Sequence, residues 1–210
     1  MEESKNTDDR STAELVEVLS NDFHRLEKRM VTSAKRGYMS SADESNARSL
    51  IRALFALVEG VVYAMKIDAL FVAEERGQPL SFAESALVFE LRHELSDHGE
   101  VIERPANVTL ERNVRFAFRL YAQVFGIASS LDTNSDWWHA LRRSMRVRNR
   151  LMHPRQPADL DIGPKHVVDA VVAKRGFIQA VGETLRHKES VPKAPRPNQA
   201  HAADSLKTRG

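Results

Sequence analysis

The residues best placed to do chemistry lie near the end of one amphipathic segment, residues 135–152. On a helical wheel with about 100° per residue, Arg148 falls in the apolar half of this segment, beside Leu141 and Met152. An arginine on a packing face is costly unless an acid pairs with it or it opens into a cleft. Two interpretations therefore stay open: a structural ion pair with an acid on a neighbouring helix, or an anion site in a groove between helices or subunits.

A histidine follows this helix directly. An imidazole can take up or release a proton near neutral pH, so His153 is a candidate for proton transfer; a surface histidine that caps the helix is the alternative. The helix is expected to stop there because Pro154 disfavours helical geometry in the residue before it. In an ideal helix Arg148 and His153 would point about 140° away from each other. Either His153 swings round where the helix ends, or two chains each contribute to one cleft.

Positive charge is concentrated around these two residues. Residues 137–158 contain six arginines and no acid, although the net charge of the whole chain is only +2. Such a patch is a candidate anion-binding surface, with a solvated helix face as the alternative. The wheel predicts that the other half of the helix faces water, with His139, Arg142, Arg143, Arg146 and Arg150 on it.

The breaks between helical patterns predict an all-α, up-and-down helix bundle. All eight prolines fall in such gaps, and six helices are predicted at about 12–34, 42–76, 81–99, 108–129, 135–152 and 164–187. Capping residues mark the expected starts of the first three helices: Ser11 with Glu14, Ser41 with Glu44, and Ser81 with Glu84. No alternating strand pattern of useful length is present. The second helix is apolar over most of its circumference, so it should be central or shared with a partner chain. We divide the chain into an acidic segment with an accessory N-terminal helix (1–40), a helical domain (41–187) and a disordered basic C-terminal tail (188–210).

Composition excludes several classes of function. The chain has 210 residues and no cysteine, so it has no disulfide and no thiol nucleophile. It shows no signal peptide and no apolar run that could span a bilayer, which predicts a cytoplasmic protein without membrane contact. Paired metal-binding histidines, glycine-rich phosphate loops and nucleophile elbows are missing from the sequence, so no metal and no cofactor are expected.

The segment Arg148-Asn149-Arg150-Leu151-Met152-His153, followed by Pro154, resembles a family motif. HEPN domains carry an Arg-x4-6-His motif at the end of a helix, often with Asn after the Arg. The resemblance covers about residues 41–187, including the long apolar helix upstream and the amphipathic helix downstream. It implies a HEPN-like bundle to which the first helix is an addition.

The resemblance also implies an activity, that of a metal-independent endoribonuclease that works as a homodimer with its motifs facing across a cleft. RNA supplies the 2′-hydroxyl nucleophile, His153 would move protons, and Arg148 would hold the pentavalent phosphate. Asn149 would orient the histidine or bind a phosphate oxygen. A third polar residue from an upstream helix often joins such sites, and Glu59 is the candidate; an ordinary exposed stripe with Arg48, Arg52 and Lys66 is the alternative. The neighbouring cations expected to contact RNA are Arg142, Arg146, Arg150 and Arg155.

The family further suggests a setting in toxin–antitoxin or antiphage defence, with an antitoxin or regulatory protein as a companion. Two rival functions stay open. One is a non-catalytic HEPN module that binds RNA or protein. The other is a structural helical adaptor in which Arg148 belongs to an internal ion pair.

Overall fold

Six helices and one two-stranded hairpin make up the described part of the chain, residues 12–35 and 39–190 of a computed structural model. The predicted all-α class is confirmed in its main features; the HEPN-like topology stays a prediction. The elements are α1 (Thr12–Lys35), α2 (Ser41–Glu75), α3 (Phe82–Val88), β1 (Leu91–Leu95), β2 (Val101–Pro105), α4 (Leu110–Phe125), α5 (Asp136–Met152), a short 3-10 helix (Pro157–Leu160) and α6 (Pro164–Ser190).

The hairpin corrects the predicted third helix, which was expected to continue to residue 99. The helix ends at Val88, and Glu90 then takes a left-handed backbone conformation with φ 58° that turns the chain into β1. β1 pairs with β2 in antiparallel register, from Leu91 opposite Pro105 to Leu95 opposite Val101. The sequence of these strands shows no regular alternation of apolar and polar residues, because both strands are largely exposed and neither has a continuous apolar face.

Helix starts were predicted within a residue or two where capping side chains mark them. Ser81 and Glu84 form the predicted capping box at α3. At α2 the box is Ser40 with Asp43, one residue earlier than the predicted Ser41 and Glu44. The box predicted from Ser11 lies outside the described residues.

The second helix is central, as its apolar circumference predicted. α2 contacts α1, α3, α4, α5 and α6, and most of its apolar side chains are fully buried. The accessory helix α1 belongs to the same core, since its Phe23 is completely buried. Its Leu19 lies so close to Gly60 that a Cβ atom there would come within 2.7 Å of the leucine Cδ1. Helix α1 therefore packs into the same core as the helices that follow it, while the division of the chain at residue 40 stays a prediction.

Helix α5, which carries Arg148 and Asn149 of the motif, packs closely against α6, the last helix described. A Cβ atom on Gly176 of α6 would lie 2.2 Å from the Cβ atom of Trp137 on α5, so only glycine permits this spacing. α6 begins at Pro164 as predicted and continues to Ser190. The predicted tail at 188–210 thus starts inside the helix, and residues 191–210 lie outside the described residues. None of the helices described is both long and apolar enough to cross a bilayer.

Candidate functional site

Arg148 lies at a groove between α2, α5 and the start of α4. The groove has a volume of about 480 Å³, and its walls include Phe55 of α2, Thr109 at the N-cap of α4, and Arg148 and Asn149 of α5. The Arg148 side chain is 34% exposed. The wheel correctly predicted an arginine on the packing side, and the groove is what lets its charge reach solvent.

Two of the predicted polar partners meet the guanidinium of Arg148. Its Nη2 donates to Oε1 of Glu59 at 3.1 Å, and its Nη1 donates to Oδ1 of Asn149 at 3.4 Å. The Glu59 side chain is 47% exposed, so this pair is solvated on both sides. The contact is therefore an ion pair at the mouth of a groove, not a charge locked onto an internal carboxylate.

The polar stripe proposed around Glu59 is only partly present. Lys66 is completely buried, and its Nζ donates to Glu90 at 2.9 Å and to Asn113 at 3.1 Å, so its place in an exposed stripe was wrong. The exposed row that contains Glu59 consists of Arg52, Ala56, Glu59 and Tyr63. Since the partner of Glu59 is Arg148 on another helix, the carboxylate does not serve charge pairing within α2.

His153 ends the motif helix and lies outside the groove. Its backbone N–H donates to the carbonyl oxygen of Asn149 at 3.2 Å, and its φ of −133° and ψ of 60° are no longer helical, as Pro154 predicted. Its side chain is exposed and makes no hydrogen bond or ion pair with any residue of 12–35 and 39–190. His153 is not among the residues that line the groove of Arg148. One chain alone therefore does not bring both motif side chains into one groove.

The cations predicted to contact RNA are distributed around this site. Arg142 lines the same groove and its Nε lies 3.4 Å from Glu111, while Arg146 also lines it and has no hydrogen-bond or ion-pair partner in the described part of the chain. Arg155 is exposed beyond the helix end. Its backbone N–H donates to Asp159, and this hydrogen bond lowers the pKa of that carboxyl.

Two arginines expected to face water also make contacts with neighbouring segments, although the side chain of Arg143 remains 42% exposed. Arg143 makes two hydrogen bonds with the buried carboxylate of Asp169 on α6, at 2.9 and 2.7 Å. Arg150 is half-buried and donates from Nη2 to the carbonyl oxygen of Asp161 at 2.8 Å. The wheel could not reveal either contact because the partners, Asp169 on α6 and Asp161 in the segment before it, lie outside α5.

The sequence did not draw attention to a second groove, between α5 and α6. It has a volume of about 320 Å³, and α6 contributes Lys165, His166 and Asp169 to it. The N–H of Gly163 donates to Nδ1 of His166 at 3.1 Å. Burial first, and then the guanidinium of Arg150, lower the pKa of His166 below its ordinary value, which favours the neutral imidazole. Since Nδ1 accepts from Gly163, the neutral ring carries its proton on Nε2. The only signal in the sequence was a basic residue and a histidine next to the proline that starts α6.

Within the ranges described, the acidic and histidine side chains form no group that could hold a metal ion. Comparison of the chain with models of protein families, with curated proteins and with solved structures gave no match.

Proposed function

We propose that this chain is a metal-independent endoribonuclease of the HEPN type that cleaves RNA at a site shared by two copies of the chain. The observation that supports this proposal is the ion pair of Arg148 with Glu59 at the mouth of a groove. It brings together three residues that the motif resemblance singled out from two distant segments: Glu59, Arg148 and Asn149. An arginine so placed can reach a phosphate while an acid holds it in orientation.

The chemistry follows from these residue types. The 2′-oxygen of RNA attacks the adjacent phosphorus, the bond from phosphorus to the 5′-oxygen breaks, and the products are a 2′,3′-cyclic phosphate and a 5′-hydroxyl. His153 moves the protons, from the 2′-hydroxyl and to the departing 5′-oxygen. Arg148 neutralises the charge that builds up on the phosphate oxygens. Asn149 offers an amide to a phosphate oxygen or to the histidine, and Glu59 positions Arg148.

The position of His153 is the reason for proposing two chains. His153 is exposed beyond the end of α5, whereas Arg148 lies in the groove, so the histidine of a second copy can complete the site. The exposed row of α2 that carries Glu59 also carries Tyr63, which is 50% exposed and offers an apolar contact next to the groove. A symmetric homodimer along this row would present each groove to the partner's His153.

The RNA strand would enter along Arg142 and Arg146, with Arg150 and Arg155 nearby. A cytoplasmic role in toxin–antitoxin or antiphage defence, with a companion protein that restrains the nuclease, is the part of the proposal that rests on the family resemblance alone.

A second candidate function is a non-catalytic module that binds RNA or a protein through the same groove. The observation that favours it is again the exposed His153, whose side chain makes no hydrogen bond or ion pair with another motif residue in the described part of the chain. A purely structural adaptor is less well supported, because the Arg148–Glu59 pair is open to solvent and an exposed pair contributes little to stability.

The experiment that tests the proposal compares RNA cleavage by matched variants in the presence of EDTA. Purified chain is incubated with end-labelled RNA beside His153→Ala and a control, His139→Ala, which removes an exposed histidine from the same helix. We expect the wild type and His139→Ala to cleave, and His153→Ala to lose about 10²- to 10⁴-fold in rate.

Three outcomes separate the candidates. Equal cleavage by all three proteins rejects the assignment of His153, and so does the absence of cleavage by the wild type. RNA binding without cleavage, unchanged in His153→Ala, identifies the non-catalytic module.

A further inference from the structure

The groove between α5 and α6 lies beside the groove of Arg148, and one residue belongs to both. Arg146 lines each of them, so α5 forms a ridge with Arg146 on its crest and a groove on either side. The α5–α6 groove is lined by Arg143, Arg146, Val147, Arg150, Lys165, His166 and Asp169. Among the described residues, Val147 is the only apolar one in this lining, which does not suit an apolar ligand but does suit an anion.

The charges in this groove are not balanced. Asp169 is the only acid that the described part of the chain contributes to the lining, and Arg143 already engages both of its carboxylate oxygens. Arg150 is anchored on the carbonyl oxygen of Asp161, and the carboxylate of Asp159 lies close enough to offset part of its positive charge. Arg146 and Lys165 have no hydrogen-bond or ion-pair partner anywhere in the described ranges. Two cations of this groove, Arg146 and Lys165, are thus available to an incoming anion.

A neutral donor completes the groove. Because Nδ1 of His166 accepts the hydrogen bond from Gly163, the imidazole proton lies on Nε2 and is available for donation. His166 and Lys165 also belong to the first turn of α6, where the helix dipole adds to the positive potential. A phosphate group is an anion that uses several cations and a neutral donor at once.

We propose that the α5–α6 groove binds a backbone phosphate of single-stranded RNA, so that the strand crosses α5 at Arg146 and places a neighbouring phosphate in the groove of Arg148. The assumption that the bound strand is RNA rests on the proposed function. The binding of a phosphate in this groove does not, because binding needs no catalysis. Lys165 and His166 are RNA-contacting residues in this arrangement, and the strand is held on both sides of the ridge.

The test measures binding apart from cleavage. A fluorescein-labelled 2′-O-methyl RNA has no free 2′-hydroxyl and cannot be cut by the proposed route. Its dissociation constant is measured by fluorescence anisotropy over a range of salt concentrations for the wild type, Lys165→Ala and Lys174→Ala. Lys174 is the matched control: it has the same residue type on the same helix, but its Nζ lies over the ring of Phe23, 5.6 Å from the centroid.

We expect Lys165→Ala to bind more weakly and to lower the slope of log affinity against log salt by about 0.7, the value for one lost contact with a single strand. Lys174→Ala should retain the affinity and the slope of the wild type. Three results would overturn the inference: no binding by the wild type, unchanged binding by Lys165→Ala, or an equal loss in both lysine variants.

Failure of this inference is distinguishable from failure of the proposed function. If Lys165→Ala weakens binding while unmodified RNA is never cleaved, the groove binds RNA and the nuclease proposal is wrong. If unmodified RNA is cleaved in a manner that depends on His153, but Lys165→Ala binds like the wild type, the nuclease proposal stands and the second phosphate site is wrong.

Discussion

The guanidinium of Arg148 on α5 donates to the carboxylate of Glu59 on α2 at 3.1 Å, and both side chains remain partly open to solvent. An exposed ion pair contributes between about 0 and 1 kcal/mol to stability, because water already solvates both charges well. The pair therefore orients a cation far more than it holds two helices together. A functional role for Arg148 therefore predicts that its loss lowers activity with little effect on stability, whereas a structural role predicts a clear loss of stability.

Replacing Arg148 by alanine should leave the fold intact and abolish most of the activity. We expect the free energy of unfolding to fall by no more than about 1 kcal/mol, since Glu59 regains water when its partner is removed. RNA cleavage should fall by about 10²- to 10³-fold, as when one group that stabilises a developing negative charge is lost. Urea denaturation and cleavage of labelled RNA are the two measurements.

Arg119→Ala is the control, because it removes an exposed arginine from α4 without touching the groove. A destabilisation of about 3–5 kcal/mol by Arg148→Ala would instead indicate a buried structural ion pair and favour the adaptor.

Two inactive chains should restore activity to each other if the site is shared. In a dimer of one Arg148→Ala chain and one His153→Ala chain, one site lacks both groups and the other retains both. With random pairing after co-expression, half the dimers are of this kind, so about a quarter of the wild-type cleavage rate should return. Cleavage is compared with that of each variant alone.

The control for this exchange pairs Arg148→Ala with the double variant Arg148→Ala/His153→Ala, which should remain inactive. No recovery in the first mixture would mean that Arg148 and His153 of the same chain act together, or that the chain does not work as a dimer.

The stability of the hairpin junction should depend on pH through Glu90. The hydrogen bond from the buried Lys66 is the main reason why the pKa of Glu90 lies below its ordinary value of 4.5. A carboxyl with a lowered pKa in the folded state stabilises the protein fully above its unfolded-state pKa, and loses this effect as the pH falls through the folded-state value. Glu90→Ala should therefore cost about 1–3 kcal/mol near neutral pH, because Lys66 is left with a single acceptor.

The difference in unfolding free energy between Glu90→Ala and the wild type should shrink as the pH is lowered below about 4.5. Urea denaturation at a series of pH values measures it. Glu103→Ala, which removes a mostly exposed carboxylate from the same hairpin, should cost less than about 1 kcal/mol at any pH. Equal effects of the two variants at neutral pH would contradict the role assigned to Glu90.

Adding one methyl group at Gly176 should destabilise the contact between α5 and α6. The new Cβ atom would lie 2.1 Å from Cγ and 2.2 Å from Cβ of Trp137, so the two helices must move apart. We expect a loss of about 1–3 kcal/mol, typical of overpacking, which thermal and urea denaturation can measure.

Gly182→Ala provides the comparison on the same helix. Its nearest new contact is Nη1 of Arg186 at 3.6 Å, an ordinary distance, so this variant should gain about 0.5–1 kcal/mol from the better helix former. If the Gly176→Ala variant were as stable as the Gly182→Ala variant, Trp137 would be able to rearrange without a loss of stability, and the steric role assigned to Gly176 would be wrong.

Local sequence determined five of the six helices described and the position of the motif; the third helix was predicted too long. Pro154 ends α5 at His153, Pro164 starts α6, and the apolar circumference of α2 made it the central helix. Each of these features depends on the sterics or the periodicity of neighbouring residues, which the sequence displays directly. The unusual position of Arg148 was visible for the same reason.

Only the tertiary structure decided which partners these residues have. Glu59 contacts Arg148 although 89 positions separate them in the chain, and Arg143 on α5 pairs with Asp169 on α6. Lys66 is buried because a hairpin, begun by the left-handed Glu90, brings an acid to it. The groove with Lys165 exists because α6 packs beside α5. Contacts of this kind depend on how distant segments pack, and no periodicity within one helix encodes the identity of the neighbour.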